Sequence, residues 1–467
     1  MPPVVGSPAG SAGHLPQTDR NEVQSLFHGI ARVVLVAALC GAPWAFGAVV
    51  AWAWGALGGL VFLALLLWAA GCVQQGILQI AWSPFYWPFL ALLLLAVVQL
   101  LAGFTVDHVA TREAVLKLIT DFVLFFLAGQ LLHAEPESRR ILGRFGLVAT
   151  LLALAVSAFA LAQFFFTQNT HLMYWSLPVP TRPFGPYVNP NNYGGLMELL
   201  IPLSVGYILP QSSHWLSRLL LWGAVIVALV SVWVSSSRGA SAAMLIEGLV
   251  FGIIFIGVRP KSAWRRVIPV VAGVAVASAC IFTWMVNTGG VSSRAWSIFS
   301  VDQPREVKLG DRIWVSKTAL RMTAHNPGLG IGVGCFEFMF PSYAMAPTDL
   351  YWDHAHDDFA EGLAETGLTG GVILVVALWL FFRLAFRDLA DRLERESGWI
   401  QLGAVVGCLG LMAHSLVDFN LRIPANAAWF VVCLAIAVHA RWSHRRFWMP
   451  AAVSKAGTDR GPLLREY

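Results

Sequence analysis

Residues 147–166 have the sequence LVATLLALAVSAFALAQFFF, twenty residues without a charged side chain. A helix needs about 20 apolar residues to cross the hydrocarbon core of a bilayer. The rest of the chain has the same character, because 57% of its 467 residues are hydrophobic and only 12% are charged. A water-soluble protein usually carries about 25% charged residues. The sequence therefore predicts an all-α polytopic integral membrane protein.

Apolar segments of this length predict about twelve transmembrane helices. They lie near residues 30–49, 51–70, 86–103, 114–132, 143–166, 193–210, 215–234, 240–258, 267–286, 366–386, 400–418 and 424–440. We expect residues 1–27 to form a disordered cytoplasmic N-terminus, because the first part is rich in Gly, Pro and Ser. Helices one to nine then occupy 28–286, a loop subdomain 287–365, helices ten to twelve 366–441, and a cytoplasmic tail 442–467.

The distribution of Lys and Arg predicts the orientation. Cytoplasmic loops of membrane proteins carry an excess of these residues. If both termini are cytoplasmic, the cytoplasmic segments hold twenty of the 31 basic residues. Two long loops, at about 167–192 and 287–365, then face outward. Residues 311–324, DRIWVSKTALRMTA, predict a helix in the second loop, because their apolar residues recur at helical intervals.

The net charge of +5 does not indicate nucleic acid binding, because the basic residues are dispersed and form no stripe with interleaved aromatic residues. We therefore expect no nucleic acid partner. The partner that the composition does indicate is the lipid bilayer.

Three outer arginines are candidates for binding an anion. Arg182 begins the sequence RPFGPYVNPNN before the sixth span, in which Asn191 or Asn192 is a candidate helix cap. Arg238 follows three serines in SSSRGA, and Arg312 lies at the start of the predicted loop helix. Arginines and hydroxyls at helix starts suit a phosphate or pyrophosphate headgroup. The alternative is that these arginines anchor the chain at the membrane interface.

Residues 353–358, DHAHDD, lie just before the tenth span. Asp353, His354, His356 and Asp357 together are compatible with a metal site, with a general base or with a solvated polar cluster. The two histidines form a poor zinc signature without a third ligand at a defined spacing. We therefore favour the general base.

His414 and Asp418 are four residues apart near the outer end of the eleventh span, so we expect them on one helix face. Their pairing either orients a site or is purely structural. These five polar segments, 182–192, 235–240, 311–324, 353–358 and 414–424, all fall on the outer side of the predicted topology. They predict one cavity with three arginines, a histidine and supporting carboxylates.

These segments resemble the O-antigen ligase and O-antigen polymerase superfamily. RPFGPYVNPNNYGG, SSSRGA, DRIWVSKTALRMTAHNPGLGIGVGCF, DHAHDD with ETGLTGG, and HSLVDFNLRIP occur in the order seen in that family, across roughly residues 170–430. The resemblance implies a fold like that of GT-C membrane glycosyltransferases, in the bacterial inner membrane. It implies transfer of a glycan from undecaprenyl pyrophosphate to an acceptor hydroxyl on the periplasmic face, with neither a metal nor a cofactor. The acceptor is lipid A core in a ligase and another glycan in a polymerase, and a third subtype glycosylates protein.

The resemblance also implies roles for individual residues. His356 resembles the family's catalytic histidine, which would act as a general base in an inverting transfer. Three arginines match positions that meet the lipid pyrophosphate: Arg182, Arg238 and Arg312. Six residues are expected to support them: Asn191, Asp353, His354, Asp357, His414 and Asp418.

One position departs from the family pattern. Asp357 stands where the family commonly has Asn, and a carboxylate beside His356 would favour its imidazolium form. Two alternatives from other classes are a flippase or transporter of polyprenyl-linked glycan and a membrane metalloprotease that uses His354, His356 and a carboxylate.

Overall fold

The computed structural model describes residues 26–133, 138–166, 183–211, 214–258, 309–344, 352–439 and 443–448. We number the α-helices of these ranges in chain order. They are α1 Leu26–Gly41, α2 Ala51–Gln75, α3 Tyr86–Leu101, α4 His108–Leu132, α5 Ser138–Phe166, α6 Pro190–Ile208, α7 Trp215–Ser235, α8 Arg238–Val258, α9 Leu309–His325, α10 Phe336–Tyr343, α11 Asp358–Ala385, α12 Leu389–Arg392, α13 Glu396–His414 and α14 Pro424–Ala437. Strands β1 Ile77–Trp82 and β2 Ser443–Trp448 pair antiparallel.

Eight of the described helices are long and apolar enough to cross a membrane: α1, α2, α4, α5, α7, α8, α11 and α13. Helices α3 and α14 are apolar but shorter. The all-α polytopic membrane fold is thereby confirmed. The number of spans stays a prediction, and the segment 267–286 lies outside the described residues.

Helices α6 and α13 form the centre of the bundle, and glycines bring their backbones close together. A Cβ on Gly206 would lie 2.2 Å from the carbonyl oxygen of Trp399, and one on Gly403 would lie 2.3 Å from that of Pro202. Small residues permit this close approach in membrane helix pairs. The contact positions two polar residues, Glu198 in the middle of α6 and His414 at the end of α13.

The segment between α8 and α11 contains the predicted loop helix, which is confirmed as α9. Helices α9 and α10 share an apolar core with the residues before α11, including Val315, Phe336 and Trp352. The buried side chain of Gln99 on α3 holds the loop between α9 and α10, because its Oε1 accepts the backbone N–H of Val333 at 3.1 Å. The segment is therefore attached to the helix bundle by hydrogen bonds as well as by the chain itself.

Helix α11 has a kink at Gly367, where φ is 62° and ψ is −163°, and its part after the kink agrees with the predicted tenth span near 366–386. Two sequence-based expectations about helix ends were wrong. Helix α6 is capped by Asn189, whose Oδ1 accepts the backbone N–H of Asn191 at 2.9 Å, and not by Asn191 or Asn192. Asn189 takes this role because Pro190 occupies the first helical position, where its fixed φ suits a helix start.

Helix α13 ends at His414, so Asp418 is not on the same helix as His414. The carbonyl of His414 accepts the N–H of Val417 at 2.9 Å in a tighter turn. The carbonyl of Ser415 accepts the N–H of Asp358 at 2.9 Å from the start of α11. The helix stops because its last carbonyls are satisfied by these bonds instead of by a further helical turn.

Candidate active site

Asp418 lies at the centre of the candidate site, fully buried in the turn between α13 and α14. Its Oδ2 accepts hydrogen bonds from Arg312 Nη1 at 3.1 Å and from Asn191 Nδ2. Its Oδ1 accepts the backbone N–H of Phe419 at 2.9 Å. The structure therefore brings together residues from three of the predicted polar segments.

His356 approaches the same carboxylate from the loop before α11. Its Nδ1 lies 3.4 Å from Asp418 Oδ1, and its ring is packed edge-on against Trp352 and Phe419 with centroid distances of 5.7 and 4.8 Å. The side chain is buried and the backbone has a positive φ of 50°, which is uncommon for a residue with a side chain. A carboxylate at Nδ1 favours the tautomer that leaves Nε2 as the proton acceptor.

The environment of Asp418 keeps this carboxylate charged. Burial alone would raise the pKa of Asp418. The contact with His356 and the positive charges of Arg312 and His414 outweigh burial and hold the pKa well below its ordinary value. Asp418 is therefore an anion at neutral pH that can orient His356 and stabilise its protonated form.

Arg312, in the first turn of α9, is fixed by two acceptors. Besides Asp418, its Nη1 donates to the carbonyl of Val417 at 2.9 Å. The side chain is 22% exposed. A guanidinium has five N–H donors in a planar fork. Arg312 can therefore keep its contact with Asp418 and still present N–H groups to an oxyanion.

Arg238 is the first residue of α8, and its side chain is exposed. It forms no ion pair within the described ranges. The preceding residue, Ser237, donates from Oγ to Asn191 Oδ1 at 2.8 Å, and Asn191 in turn bonds to Asp418. The start of α8 is thus connected to the Asp418 centre. Arg182 lies outside the described residues.

His414 has a partner that the sequence interpretation missed. Its Nδ1 lies 2.7 Å from Oε1 of Glu198, and both side chains are completely buried. Its Nε2 is 4.0 Å from Asp418 Oδ2, so the expected contact between His414 and Asp418 is present although the helix has ended. A lone carboxylate within an apolar span is costly and usually functional, and this signal could have identified Glu198.

His354 belongs to a second cluster. Its Nδ1 is 2.9 Å from Glu361 Oε1. Arg422 contacts the same carboxylate at 3.3 Å and also Glu365 at 2.8 Å, with Asp358 at 3.8 Å. The three acidic residues share one face of α11, because they are three and four residues apart. This cluster joins the start of α11 to the turn before α14.

The pKa values in this second cluster follow from its charges. Burial would lower the pKa of His354, but the charge of Glu361 and its hydrogen bond raise the pKa above the ordinary value. Burial would likewise lower the pKa of Arg422, and the three carboxylates raise it. His354 therefore favours the imidazolium form, and as a cation it cannot accept a proton.

Asp357 does not act on His356 in the way that its sequence position suggests. Its carboxylate caps α11 and accepts the backbone N–H groups of Phe359 at 3.1 Å and Ala360 at 3.0 Å. Burial raises the pKa of Asp357 even though these bonds favour its charged form. The carboxylate that contacts His356 is Asp418. Asp353 is exposed on the same loop.

The two histidines of the DHAHDD segment therefore face different carboxylates, His354 facing Glu361 and His356 facing Asp418. The described part of the chain contains no group of three or more His, Cys, Asp or Glu side chains that could hold a metal ion.

The fold and this network define the class of protein. It is a multi-pass membrane protein in which arginines, buried histidines and carboxylates gather between α6, α9, α11 and α13.

Part of the chain is also similar to a known protein family. A family model described as O-antigen ligase matches residues 223–375, a segment that includes Arg238, Arg312 and His356. This match confirms the resemblance to the O-antigen ligase and polymerase superfamily and supports a membrane enzyme of the glycan ligase or polymerase type. No curated protein matches the chain.

Proposed function

We propose that this protein transfers a glycan from a polyprenyl pyrophosphate to an acceptor hydroxyl, with His356 as the general base. One observation carries the proposal: buried His356 faces Asp418, and Asp418 is also bound by Arg312. A proton acceptor and a cation for an oxyanion therefore both contact one buried carboxylate. Glycan transfer from a pyrophosphate needs both of these groups.

In the proposed reaction, Nε2 of His356 accepts the proton of the acceptor hydroxyl as its oxygen attacks the anomeric carbon. The bond from that carbon to the pyrophosphate oxygen breaks, and its electron pair leaves with the pyrophosphate. Asp418 stabilises the imidazolium that results. A single displacement of this kind inverts the configuration of the anomeric carbon.

Arginines supply the charge that the leaving group requires. Pyrophosphate leaves readily when its negative charge is neutralised, and preorganised guanidinium groups can neutralise it without a divalent ion. In the proposal, Arg238 and Arg312 bind the pyrophosphate, together with Arg182. Arg238 suits this role because it is exposed beside the segment that leads to Asp418.

The proposed setting is the bacterial inner membrane, with undecaprenyl pyrophosphate as the donor lipid and the site facing the periplasm. The asymmetric distribution of Lys and Arg supports this orientation. We also propose that 287–365 forms the periplasmic subdomain between the two groups of spans. Lipid A core and a growing glycan are both compatible acceptors, as in a ligase and a polymerase respectively.

The test uses purified protein in liposomes with a polyprenyl-pyrophosphoryl oligosaccharide. Lipid A core, an oligosaccharide repeat and a Ser-containing peptide are offered as acceptors, and mass spectrometry identifies the product. A general base contributes about 10²–10⁴-fold, so His356→Ala should lose about that factor while still binding donor. His325→Ala is the matched control, because His325 is an exposed histidine on α9 that contacts Tyr343.

Folded His356→Ala protein that transfers glycan at the wild-type rate would show that His356 is not the base. Donor lipid that crosses the liposome membrane without forming product would instead identify a transporter. Peptide cleavage that requires zinc would identify a metalloprotease.

A further inference from the structure

Four side chains from different parts of the chain form a line through the core of the site. Glu198 Oε1 lies 2.7 Å from His414 Nδ1, His414 Nε2 lies 4.0 Å from Asp418 Oδ2, and Asp418 Oδ1 lies 3.4 Å from His356 Nδ1. Three of the four are completely unexposed, and His356 is about one tenth exposed. The line runs from the middle of α6 to the proposed base.

The backbone of α8 holds the His414 ring in this line. A Cβ on Gly239 would lie 2.2 Å from His414 Nε2, so the glycine backbone closes one side of the ring. Glu198 binds the other nitrogen of the ring. The ring therefore cannot turn away from Asp418 without breaking its bond to Glu198 or displacing the start of α8.

His414 has a carboxylate opposite each of its two ring nitrogens, Glu198 at Nδ1 and Asp418 at Nε2. An imidazole that has a carboxylate opposite each nitrogen is stabilised as the cation, because each carboxylate favours a proton on the nitrogen that it faces. His414 as a cation then offsets part of the negative charge of Asp418. That negative charge is what Asp418 presents to His356.

We propose that Glu198 is a positioning residue of the transferase. It keeps His414 charged and directed at Asp418, and through this pair it sets how strongly Asp418 favours a proton on His356. The inference rests on the proposed function, since it concerns the base of that reaction. Glu198 touches neither substrate nor reacting atoms and acts only through the other two residues.

Other charged groups lie close to these four side chains, and their effects on the reaction must be distinguished from the effect of Glu198. Arg312 on α9 bonds to Asp418, and this bond is independent of Glu198. Glu247 on α8 is buried next to Glu198 and packs against Gly410 of α13. Its two carboxyl oxygens accept no hydrogen bond from the residues that the structure describes. A buried carboxyl group without donors is less costly when neutral, so Glu247→Gln is a matched control.

The test measures transfer as a function of pH, between about pH 5 and pH 9. The donor is the polyprenyl-pyrophosphoryl oligosaccharide, and the acceptor is the one that yields product with the wild type. Glu198→Gln keeps the size of the side chain but cannot carry a negative charge. His414 then lacks the carboxylate that would stabilise its cation, and Asp418 favours the proton on His356 more strongly. The acidic limb of the profile should move to higher pH by about one unit, which is about a tenfold loss of rate below the limb.

Asp418→Asn should move the same limb in the opposite direction, to lower pH, because it removes the anion that favours the proton. Glu247→Gln should leave the limb where it is. Opposite shifts from two neighbouring carboxylates distinguish a charge effect from simple damage to the fold. Should Glu198→Gln protein fail to fold, Gly239→Ala decides, since it displaces the His414 ring without changing a titratable group and should also move the limb to higher pH.

The inference is overturned if folded Glu198→Gln protein keeps the wild-type profile, or if Glu247→Gln moves the limb equally. A wild-type profile for Glu198→Gln together with an inactive His356→Ala would reject only this inference. Full activity of His356→Ala would reject the proposed base itself.

Discussion

Replacing Arg422 with Gln tests whether this outer arginine supports the fold rather than the substrate. Arg422 Nη2 lies 2.8 Å from Glu365 Oε2, and its Nε lies 3.3 Å from Glu361 Oε1. Both carboxylates are buried, and the arginine is 22% exposed. Removing one partner of a buried ion pair costs about 3–5 kcal/mol, because the other partner stays buried without compensation. A folded domain has only about 5–15 kcal/mol in total, so the loss should be large.

The assay is thermal unfolding in detergent micelles, where a loss of this size lowers the midpoint by several degrees. Arg238→Gln is the control, since Arg238 is exposed and forms no ion pair with any described residue, and its midpoint should not change. Adding Glu365→Gln to Arg422→Gln should restore part of the stability, because it removes one uncompensated charge. The reasoning is refuted if Arg422→Gln unfolds within about 1 °C of the wild type, or if the double variant is less stable than the single one.

Further predictions concern the donor, metal ions, orientation and pH. Arg238→Ala should raise the KM for the pyrophosphate-linked donor, and Arg238→Lys should recover only part of the affinity because the bidentate fork is lost. Chelation with EDTA should leave transfer unchanged, and activity restored by one divalent ion would contradict this. In a cysteine-free background, a membrane-impermeant thiol reagent applied to intact cells should label cysteine at position 353 but not at position 395. The pKa of His354 is raised in the folded protein, so its pair with Glu361 stabilises the fold fully below about pH 6.5 and less as pH rises through the folded pKa. His354→Gln should therefore lower the unfolding midpoint more at about pH 5.5 than at about pH 9.

Part of the candidate site was predictable from the sequence because polar residues inside or beside apolar spans are few. Arg238, Arg312, His356 and Asp418 were identified in this way, and the structure brings Arg312, His356 and Asp418 into contact. The role of Arg422 could not be predicted in this way. It lies on the same side of the predicted topology as the proposed substrate arginines, but it is occupied by three carboxylates of α11.

Asp357 shows a second limit. Its position beside His356 in the chain suggested that it influences the base, and the structure directs it to the N-terminus of α11 instead. The backbone between two neighbouring residues can point their side chains in opposite directions. Here the positive φ of His356 turns the chain immediately before the helix start.

By itself, the sequence determined the membrane class, the approximate positions of most helices and the set of polar segments. These properties are local, since about 20 consecutive residues decide whether a helix can enter a bilayer. Only the tertiary structure decided which carboxylate meets which histidine. Glu198 and His414 are 216 residues apart, and they meet because glycines bring α6 and α13 into close contact. Such pairings depend on how distant helices pack, and no local pattern of residues predicts them.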